Sequence, residues 1–258
     1  MGRRVWTGLI GLVLAITASC VQAQTPQPGP SRFDGWAAAV IAADWRTSAG
    51  EPIQAFDNAR RDLTAGFLAA GFDRSSLYDA TLRPDVPSPV SAREALESVA
   101  RVAETNPRGC MLYFTSHGSP ESLVFGPDAE LTPTSMATLV RSLCQQRPTI
   151  VIISACYSGI FADGLSAPNR MIMTAARRDR NSFGCGEGAT YPYFDGCVIE
   201  SLPVSRDFIA LAQTTKACVA RRETEEGLSP PSEPQVRIGA DMQLLLPTLR
   251  FRSIAPSG

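Results

Sequence analysis

Thr149-Ile-Val-Ile-Ile-Ser-Ala-Cys-Tyr-Ser-Gly159 is the stretch that decides the fold. Its first half is continuously apolar and β-branched, which predicts a strand buried on both faces of a sheet. A thiol, Cys156, follows at the carboxyl end of this strand, and Gly159 comes three residues later. Because ligands of open α/β sheets collect at that edge, the stretch predicts a parallel sheet with a functional residue at its rim.

A second stretch of the same design lies upstream. Apolar residues 111–114 lead through Thr115 and Ser116 into His117 and Gly118, and His117 is the only histidine among 258 residues. An imidazole and a thiol, each at the end of an apolar strand, indicate a cysteine nucleophile with His117 as its base. The amides of Gly118 and Cys156 are suited to hold an oxyanion, since glycine lets substrate approach its N–H closely.

Each of these residues also has a plainer interpretation. A cysteine after a buried strand is often a small core residue, and a histidine before glycine is often a loop residue. Their joint position at strand ends is what favours catalysis. Metal and cofactor sites are not predicted, because the chain has no Cys-x-x-Cys, no second histidine and no glycine-rich phosphate motif between a strand and a helix.

The rest of the chain alternates between strand and helix patterns, which predicts an α/β fold with a largely parallel sheet. Helix signals include the capping box Ser91–Glu94, the Thr132-Pro133 start and Gly71 as a C-terminal stop. Residues 175–191 are too polar for a core element and are interpreted as a loop. The predicted strands are 36–43, 77–82, 110–116, 149–154, 171–174 and 236–238, and the chain 33–250 is interpreted as one domain.

The N-terminus has the pattern of a secretory signal over residues 1–23, with Arg3 and Arg4 before an apolar run that is too short to span a bilayer. This pattern predicts an exported protein, periplasmic or secreted, with no integral membrane segment after cleavage. An uncleaved anchor and lipid attachment at Cys20 are less favoured alternatives, because Thr17 stands where a lipobox has a branched aliphatic residue. Residues 24–32 are predicted to be a flexible leader, and 251–258 a C-terminal tail.

Charge and cysteine content narrow the remaining possibilities. With 24 Lys and Arg against 25 Asp and Glu, the chain has no basic stripe, so a nucleic-acid partner is not expected. Export permits disulfides. Cys185 and Cys197 flank a Gly- and Tyr-rich segment and are the pair we expect, whereas Cys144 and Cys218 are expected to be buried free thiols. Cleavage of the signal would remove Cys20 and leave six cysteines. Complete pairing of these six is the plainer alternative, and it would include Cys156.

Ser116-His117-Gly118 together with Ser-Ala-Cys156-Tyr-Ser-Gly resembles the legumain family of cysteine peptidases, which share their fold with caspases. The resemblance continues through Thr174-Ala-Ala, Ser182-Phe-Gly-Cys185 and the Tyr-rich segment 191–195, and covers roughly residues 36–202. It extends nearly to the end of the chain for exported bacterial members. It implies a caspase-like three-layer sandwich, with a mostly parallel sheet of about six strands and helices on both faces.

The resemblance also implies residue roles. Cys156 would be the nucleophile and His117 the general base and acid, and Gly118 would help to hold the oxyanion. A polypeptide substrate would be hydrolysed through an acyl-enzyme. The implied substrate-binding residues are Ser154, Tyr157, Ser182 and Asp195.

The chain departs from the family pattern in the specificity pocket. The family recognises asparagine with an arginine from an early Arg-His-Gln-Ala-Asp stretch and with an acidic residue directly after the nucleophile. In this chain residues 54–60 replace that stretch, and Tyr157 stands at the acidic position. Asparaginyl specificity is therefore not predicted. Asn58 is interpreted as a surface helix residue, and Arg177–Arg180 as a solvated loop.

Two other functions remain open from the sequence. One is a catalytically silent binding module on the same scaffold, which the altered pocket would suit. The other is a redox-active thiol protein in which Cys156 pairs with another cysteine. The sequence predicts no oligomeric state.

Overall fold

The structure is a computed structural model, and it describes residues 1–2, 31–47 and 49–252. The chain divides into two units, Met1–Pro30 and Ser31–Gly258. The predictions of a signal, of most of the leader and of the C-terminal tail lie largely outside the described residues. Within the described part, none of the helices combines the length and the apolar character that a membrane span requires.

A six-stranded sheet forms the centre of the second unit, in the order β2-β1-β3-β6-β7-β8. All neighbouring strands are parallel except β7 and β8, which are antiparallel. A separate two-stranded sheet pairs β4 with β5. The predicted α/β architecture with a mostly parallel sheet of about six strands is confirmed. The strands are β1 Trp36–Ala42, β2 Leu77–Thr81, β3 Gly109–Thr115, β4 Leu123–Val124, β5 Glu130–Leu131, β6 Thr149–Ser154, β7 Arg170–Thr174 and β8 Gln235–Ile238.

Helices cover both faces of the sheet. The side chains of each strand alternate between two apolar clusters because successive residues of a pleated strand point to opposite faces. On β6, Ile150 and Ile152 enter one cluster, and Val151 and Ile153 enter the other. The central strands β1, β3 and β6 are therefore buried throughout, as their unbroken apolar runs predict. The helices are α1 Ala55–Ala70, α2 Ala92–Thr105, α3 Pro133–Cys144, α4 Ala162–Leu165, α5 Tyr193–Ser201, α6 Phe208–Glu225 and α7 Ala240–Leu245.

The predicted helix boundaries agree with the caps. Gly71 ends α1 in the left-handed conformation, with φ of 119°. The Ser91–Glu94 capping box forms in both directions at the start of α2. Thr132 accepts a hydrogen bond from the Ser135 N–H, and Pro133 occupies the first turn of α3. These local signals hold because each satisfies backbone groups that the helix itself leaves unpaired.

The prediction of a Cys185–Cys197 disulfide is wrong. The structure pairs Cys197 with Cys218 and Cys110 with Cys144, and each pair has its Cα atoms 5.6 Å apart. The Gly- and Tyr-rich segment is predicted to be a loop over residues 186–196, but its last part begins α5 at Tyr193, and this helix packs Cys197 against α6, which carries Cys218. The expectation that Cys144 and Cys218 are free thiols is wrong for the same reason, since each lies on a helix face opposite another cysteine.

Candidate active site

The tips of two adjacent strands carry the predicted dyad. β3 and β6 are parallel neighbours, and Thr115 is the register partner of Ser154. The Ser116 N–H donates to the Ser154 carbonyl at 3.0 Å, which continues the pairing one residue beyond β3. His117 and Cys156 each follow within two residues. The structure therefore brings both segments to the same carboxyl edge of the sheet, where α/β proteins bind ligands.

Gly118 lies against the backbone of the turn that carries Cys156. A Cβ atom built on Gly118 would be 2.2 Å from the Cys156 carbonyl oxygen, so no other residue fits here without movement of the backbone. Gly118 also forms a bridge with Leu123. The bridge hydrogen bonds run from the Val124 N–H to the His117 carbonyl and between Ser119 and Ser122. The Gly118 N–H takes no part in them and remains able to serve as an oxyanion donor.

The ring of His117 is held by one hydrogen bond and one aromatic contact. Its Nε2 is 2.7 Å from the carbonyl oxygen of Arg46. A carbonyl only accepts, so Nε2 carries a proton, and Nδ1 of the neutral ring is left as the basic nitrogen. Phe56 packs edge-on against the imidazole with 5.1 Å between ring centroids. Asn58 instead donates to the Thr190 carbonyl, consistent with its interpretation as a helix residue without a role in orienting the histidine.

Cys156 is half-buried and is one of two free cysteines in the described residues. Its Sγ accepts from the Ser182 N–H at 3.2 Å and lies 3.4 Å from the Ser182 carbonyl. Burial raises the pKa of the Cys156 thiol, and the backbone hydrogen bonds, that of Ser182 first, offset part of this rise. The thiol is therefore protonated at neutral pH, and it needs a base before it can attack.

The backbone after Cys156 is strained. Tyr157 has φ of 55° and ψ of 12°, a left-handed conformation that costs free energy in a residue other than glycine. Its N–H donates to the Arg180 carbonyl at 2.8 Å, which ties the turn to the following loop. At Gly159 a Cβ atom would lie 2.4 Å from the Arg178 amide nitrogen, so the exit of the turn also packs on that loop. This turn holds the thiol at the strand tip.

Asp195 lies behind the two strand tips, in the first turn of α5. Its carboxylate accepts hydrogen bonds from the hydroxyl groups of Tyr113 and Thr115 on β3, and Ser154 on β6 also bonds to it. Burial raises its pKa to about 6 although these three bonds act in the opposite direction. Ser154 and Asp195 are enclosed, at 2% and 0% exposure. Of the four residues predicted to bind substrate, Tyr157 and Ser182 therefore border solvent.

Cys185 is a site residue that sequence reasoning placed elsewhere. Its free thiol packs on an apolar cluster of Ile53, Ala55 and Phe56, and Phe56 is the residue in contact with the His117 ring. Burial is the main cause of a strongly raised pKa for this thiol, and the neighbouring Cys156 adds to it. The carbonyl of Arg46 was also missed, because a backbone group has no signature in a sequence pattern.

The arginines of the loop 177–180 form ion pairs with nearby acidic residues. Arg177 pairs with Asp179 and Glu233, and Arg180 also pairs with Asp179. These pairs agree with the interpretation of a solvated loop. Among the described residues, the group best spaced to ligate a metal is Cys197, Glu200 and Cys218. Both of its sulfurs are in a disulfide, so it offers no thiolate ligand.

Comparisons with known proteins agree with this geometry. A model described as the peptidase C13 family matches residues 92–202, which include His117, Gly118 and Cys156. Among solved structures, caspase-1 from Spodoptera frugiperda is similar with a TM-score of 0.58 at 12% identity, over 87% of this chain and 94% of that one. None of the curated proteins matches. The family match supports a cysteine peptidase similar to the legumain family, and the structural match shows a caspase-like fold.

Proposed function

We propose that the protein is a cysteine endopeptidase that hydrolyses peptide bonds through Cys156 and His117. The observation that carries the proposal is the convergence of the two strand tips. The backbone next to the only histidine of the chain contacts the backbone of the free cysteine, and the Gly118 amide between them is unused. A packing role alone would not require a glycine, a left-handed tyrosine and an unpaired thiol at one sheet edge.

The reaction follows from the protonation states. With substrate bound, Nδ1 of His117 takes the proton from the Cys156 thiol, and the thiolate attacks the carbonyl carbon of the scissile bond. The resulting oxyanion accepts hydrogen bonds from the amides of Gly118 and Cys156. His117 then gives its proton to the leaving amine, and a thioester remains. Water, deprotonated by His117, attacks this thioester and releases the acid product and the free thiol.

The raised pKa of Cys156 favours proton transfer on substrate binding over a preformed ion pair. A thiolate and an imidazolium in the free enzyme would require the thiol to lose its proton more readily than usual, and burial has the opposite effect. The transfer therefore belongs to the attack step itself.

The proposed substrate cleft is bordered by Tyr157 and Ser182, with Ser154 and Asp195 supporting it from behind. Phe56 and Cys185 give one wall an apolar character. Asparaginyl specificity is not part of the proposal, because residues 54–60 replace the arginine-containing stretch of the resembled family and Tyr157 stands where that family has an acidic residue. Residues 33–250 are proposed to be the peptidase domain, and the signal-like leader supports export to the periplasm or the medium.

The test is cleavage of a peptide library by the purified chain, with Cys156→Ala and His117→Ala as inactive variants. Asn58→Ala, at a helix residue bonded away from the imidazole, is the matched control and should retain activity. We expect each dyad variant to lose at least about a thousandfold in kcat/KM. A folded wild-type chain that cleaves no peptide but binds some of them would establish the binding-module alternative instead.

A further inference from the structure

Arg170 is a buried arginine whose charge has no acidic partner among the described residues. It is the first residue of β7 and is 8% exposed. One guanidinium nitrogen, Nη1, donates to the Leu165 carbonyl at 3.0 Å. Its Nε is buried and has no hydrogen-bond partner in the described part of the chain. An uncompensated cation in the interior is costly, so this position needs a reason.

Arg147 shows how the same fold treats an arginine whose role is structural. Its guanidinium donates to the backbone carbonyls at the ends of α2 and α3, those of Ala103, Asn106, Leu143 and Cys144. Every nitrogen of that guanidinium has an acceptor. Arg170 has one carbonyl for the same five N–H donors. The contrast indicates that acceptors for Arg170 come from outside the described chain.

A cavity of about 400 Å³ adjoins Arg170. Arg237 on β8 lines the same cavity and is the register partner of Ile172, so it shares the sheet face of Arg170 and Ile172. Arg237 is exposed, and none of the ion pairs of the described residues includes it. The residues that line the cavity include no acidic side chain.

A third arginine adds to the positive charge. The pKa of Arg170 is lowered, first by burial and then by repulsion from Arg141 on α3. Like charges kept close together without a counter-ion are destabilising. An anion in the cavity would relieve that repulsion and supply acceptors for the unpaired donors.

We propose that the cavity bordered by β7, β8 and residues 166–168 binds a small oxyanion, a carboxylate or a phosphate, through Arg170 and Arg237. Planar guanidinium groups bind both classes with paired hydrogen bonds. The site lies at the amino end of β7, whereas the nucleophile turn lies at the carboxyl ends of the strands. The anion site is therefore separate from the proposed peptidase centre.

The experiment titrates the full chain with sodium phosphate or sodium succinate at constant ionic strength, using calorimetry and thermal unfolding. We expect saturable binding of at least one anion with a rise in Tm, and Arg237→Ala should weaken it at least tenfold. Arg108→Ala, at an exposed arginine paired with Asp34, controls for the loss of one positive charge.

The two anions distinguish a phosphate site from a carboxylate site. Arg170→Met should abolish binding, and Arg237→Ala decides the question if that variant does not fold. No saturable binding, or equal binding by wild type and Arg237→Ala, would overturn the proposal. Neither result depends on peptidase activity.

A separate observation concerns the two free thiols. Four of the six described cysteines are in disulfides, and Cys156 and Cys185 remain. Cys156 Sγ contacts Ser182, and Cys185 follows Ser182 by three residues, a span of at most about 11 Å. Cys185 lies between Gly184 and Gly186, and a Cβ on Gly186 would meet no atom within 4 Å. The backbone on the C-terminal side of Cys185 therefore borders open space, whereas Gly184 packs closely on Tyr193.

We infer that Cys156 and Cys185 form a reversible disulfide that blocks the active site, an inference that rests on the proposed function. The thiolate of Cys156 attacks a small-molecule disulfide such as oxidised glutathione and releases one thiolate. Cys185, deprotonated, then attacks Cys156 of the mixed disulfide and releases the second. A small-molecule thiol reverses both steps.

The test treats wild type and Cys185→Ser with oxidised glutathione, followed by peptide mapping and activity measurement. Wild type should yield the Cys156–Cys185 peptide pair, and the variant should yield only glutathione on Cys156. Glutathione retained on Cys156 in wild type would overturn the inference. Mapping reads the thiols directly, so a protein that is inactive even when reduced but still forms the Cys156–Cys185 pair on oxidation would refute the peptidase proposal while preserving the disulfide.

Discussion

The two edges of the central sheet differ in the state of their cysteines and in the backbone around them. At the amino edge, the Cys110–Cys144 disulfide joins the start of β3 to the end of α3, and Arg147 satisfies the carbonyls around it. At the carboxyl edge, Cys156 is unpaired and Tyr157 has a left-handed backbone. The strained turn at the carboxyl edge thus adjoins a free thiol, as expected of a reactive site, whereas the amino edge is cross-linked beside β3. The amino edge is not free of strain or unpaired groups, since Gln145 has a φ of 52° and Arg170 has no acidic partner among the described residues.

Gly118→Ala tests the carboxyl edge most severely. The added Cβ would lie 2.2 Å from the Cys156 carbonyl, so it must displace the nucleophile turn and the oxyanion amides together. We expect a loss of about a thousandfold in kcat/KM, at the upper end for a removed oxyanion donor. The measurement is steady-state cleavage of the best library peptide.

The control for this variant is Gly164→Ala, where the nearest atom would be at an ordinary 3.7 Å. It should leave kcat/KM near the wild-type value. Full activity in Gly118→Ala would show that the contact between the two tips is not needed for catalysis, and the distinction between the edges would lose its functional meaning.

Removal of the amino-edge disulfide by Cys110→Ser with Cys144→Ser should act on stability and not on chemistry. The bridge closes a span of 34 residues, and a loop of this size contributes about 4 kcal/mol by restricting the unfolded chain. Urea unfolding should show that loss, whereas kcat/KM measured well below the midpoint should stay unchanged. A parallel loss of activity in the folded variant would contradict the separation of the two edges.

Asp195→Asn should remove a pH dependence of stability that the buried Asp195 carboxyl group gives to the folded protein. Its pKa is about 6 in the folded protein against an ordinary 3.8, so the folded state holds the proton more tightly. The stability that this provides is complete below about pH 4 and is lost as pH rises through about 6. Relative to the asparagine variant, the free energy of unfolding of wild type should fall by up to about 3 kcal/mol between pH 4 and pH 7.

Unfolding free energies at both pH values measure this effect. Asp34→Asn, at an exposed carboxylate, controls for the change of one negative charge. A constant difference between wild type and Asp195→Asn across that range would mean that Asp195 has the same pKa in the folded and the unfolded protein.

The smallest effect concerns the rate at which iodoacetamide alkylates Cys156. Because burial raises the pKa of this thiol, the rate in the free protein should still be rising above pH 9.0, the ordinary pKa. Mass spectrometry of the Cys156 peptide separates it from Cys185. A plateau below pH 8 would indicate a preformed thiolate–imidazolium pair and would change the order of proton transfer in the proposed mechanism.

Part of this site was predictable because strand tips of a parallel sheet must share an edge. The apolar runs ending at Ser116 and Ser154 predict two such tips, and the only imidazole and one thiol follow them. Asp195 was reached only through a family resemblance. Nothing in its local pattern shows that the hydroxyls of Tyr113 and Thr115 surround it, since those residues lie 82 and 80 positions away.

By itself, the sequence determined the alternation of strands and helices, the caps at Gly71, Ser91 and Thr132, and the pairing of histidine and cysteine at one edge. Those features depend on periodicity and on backbone groups within a few residues. Tertiary structure decided which cysteines pair, which ring nitrogen of His117 carries the proton, and that Arg170 has no acidic partner among the described residues. Each of these depends on which faces of distant elements meet, and packing settles that only when the whole chain is folded.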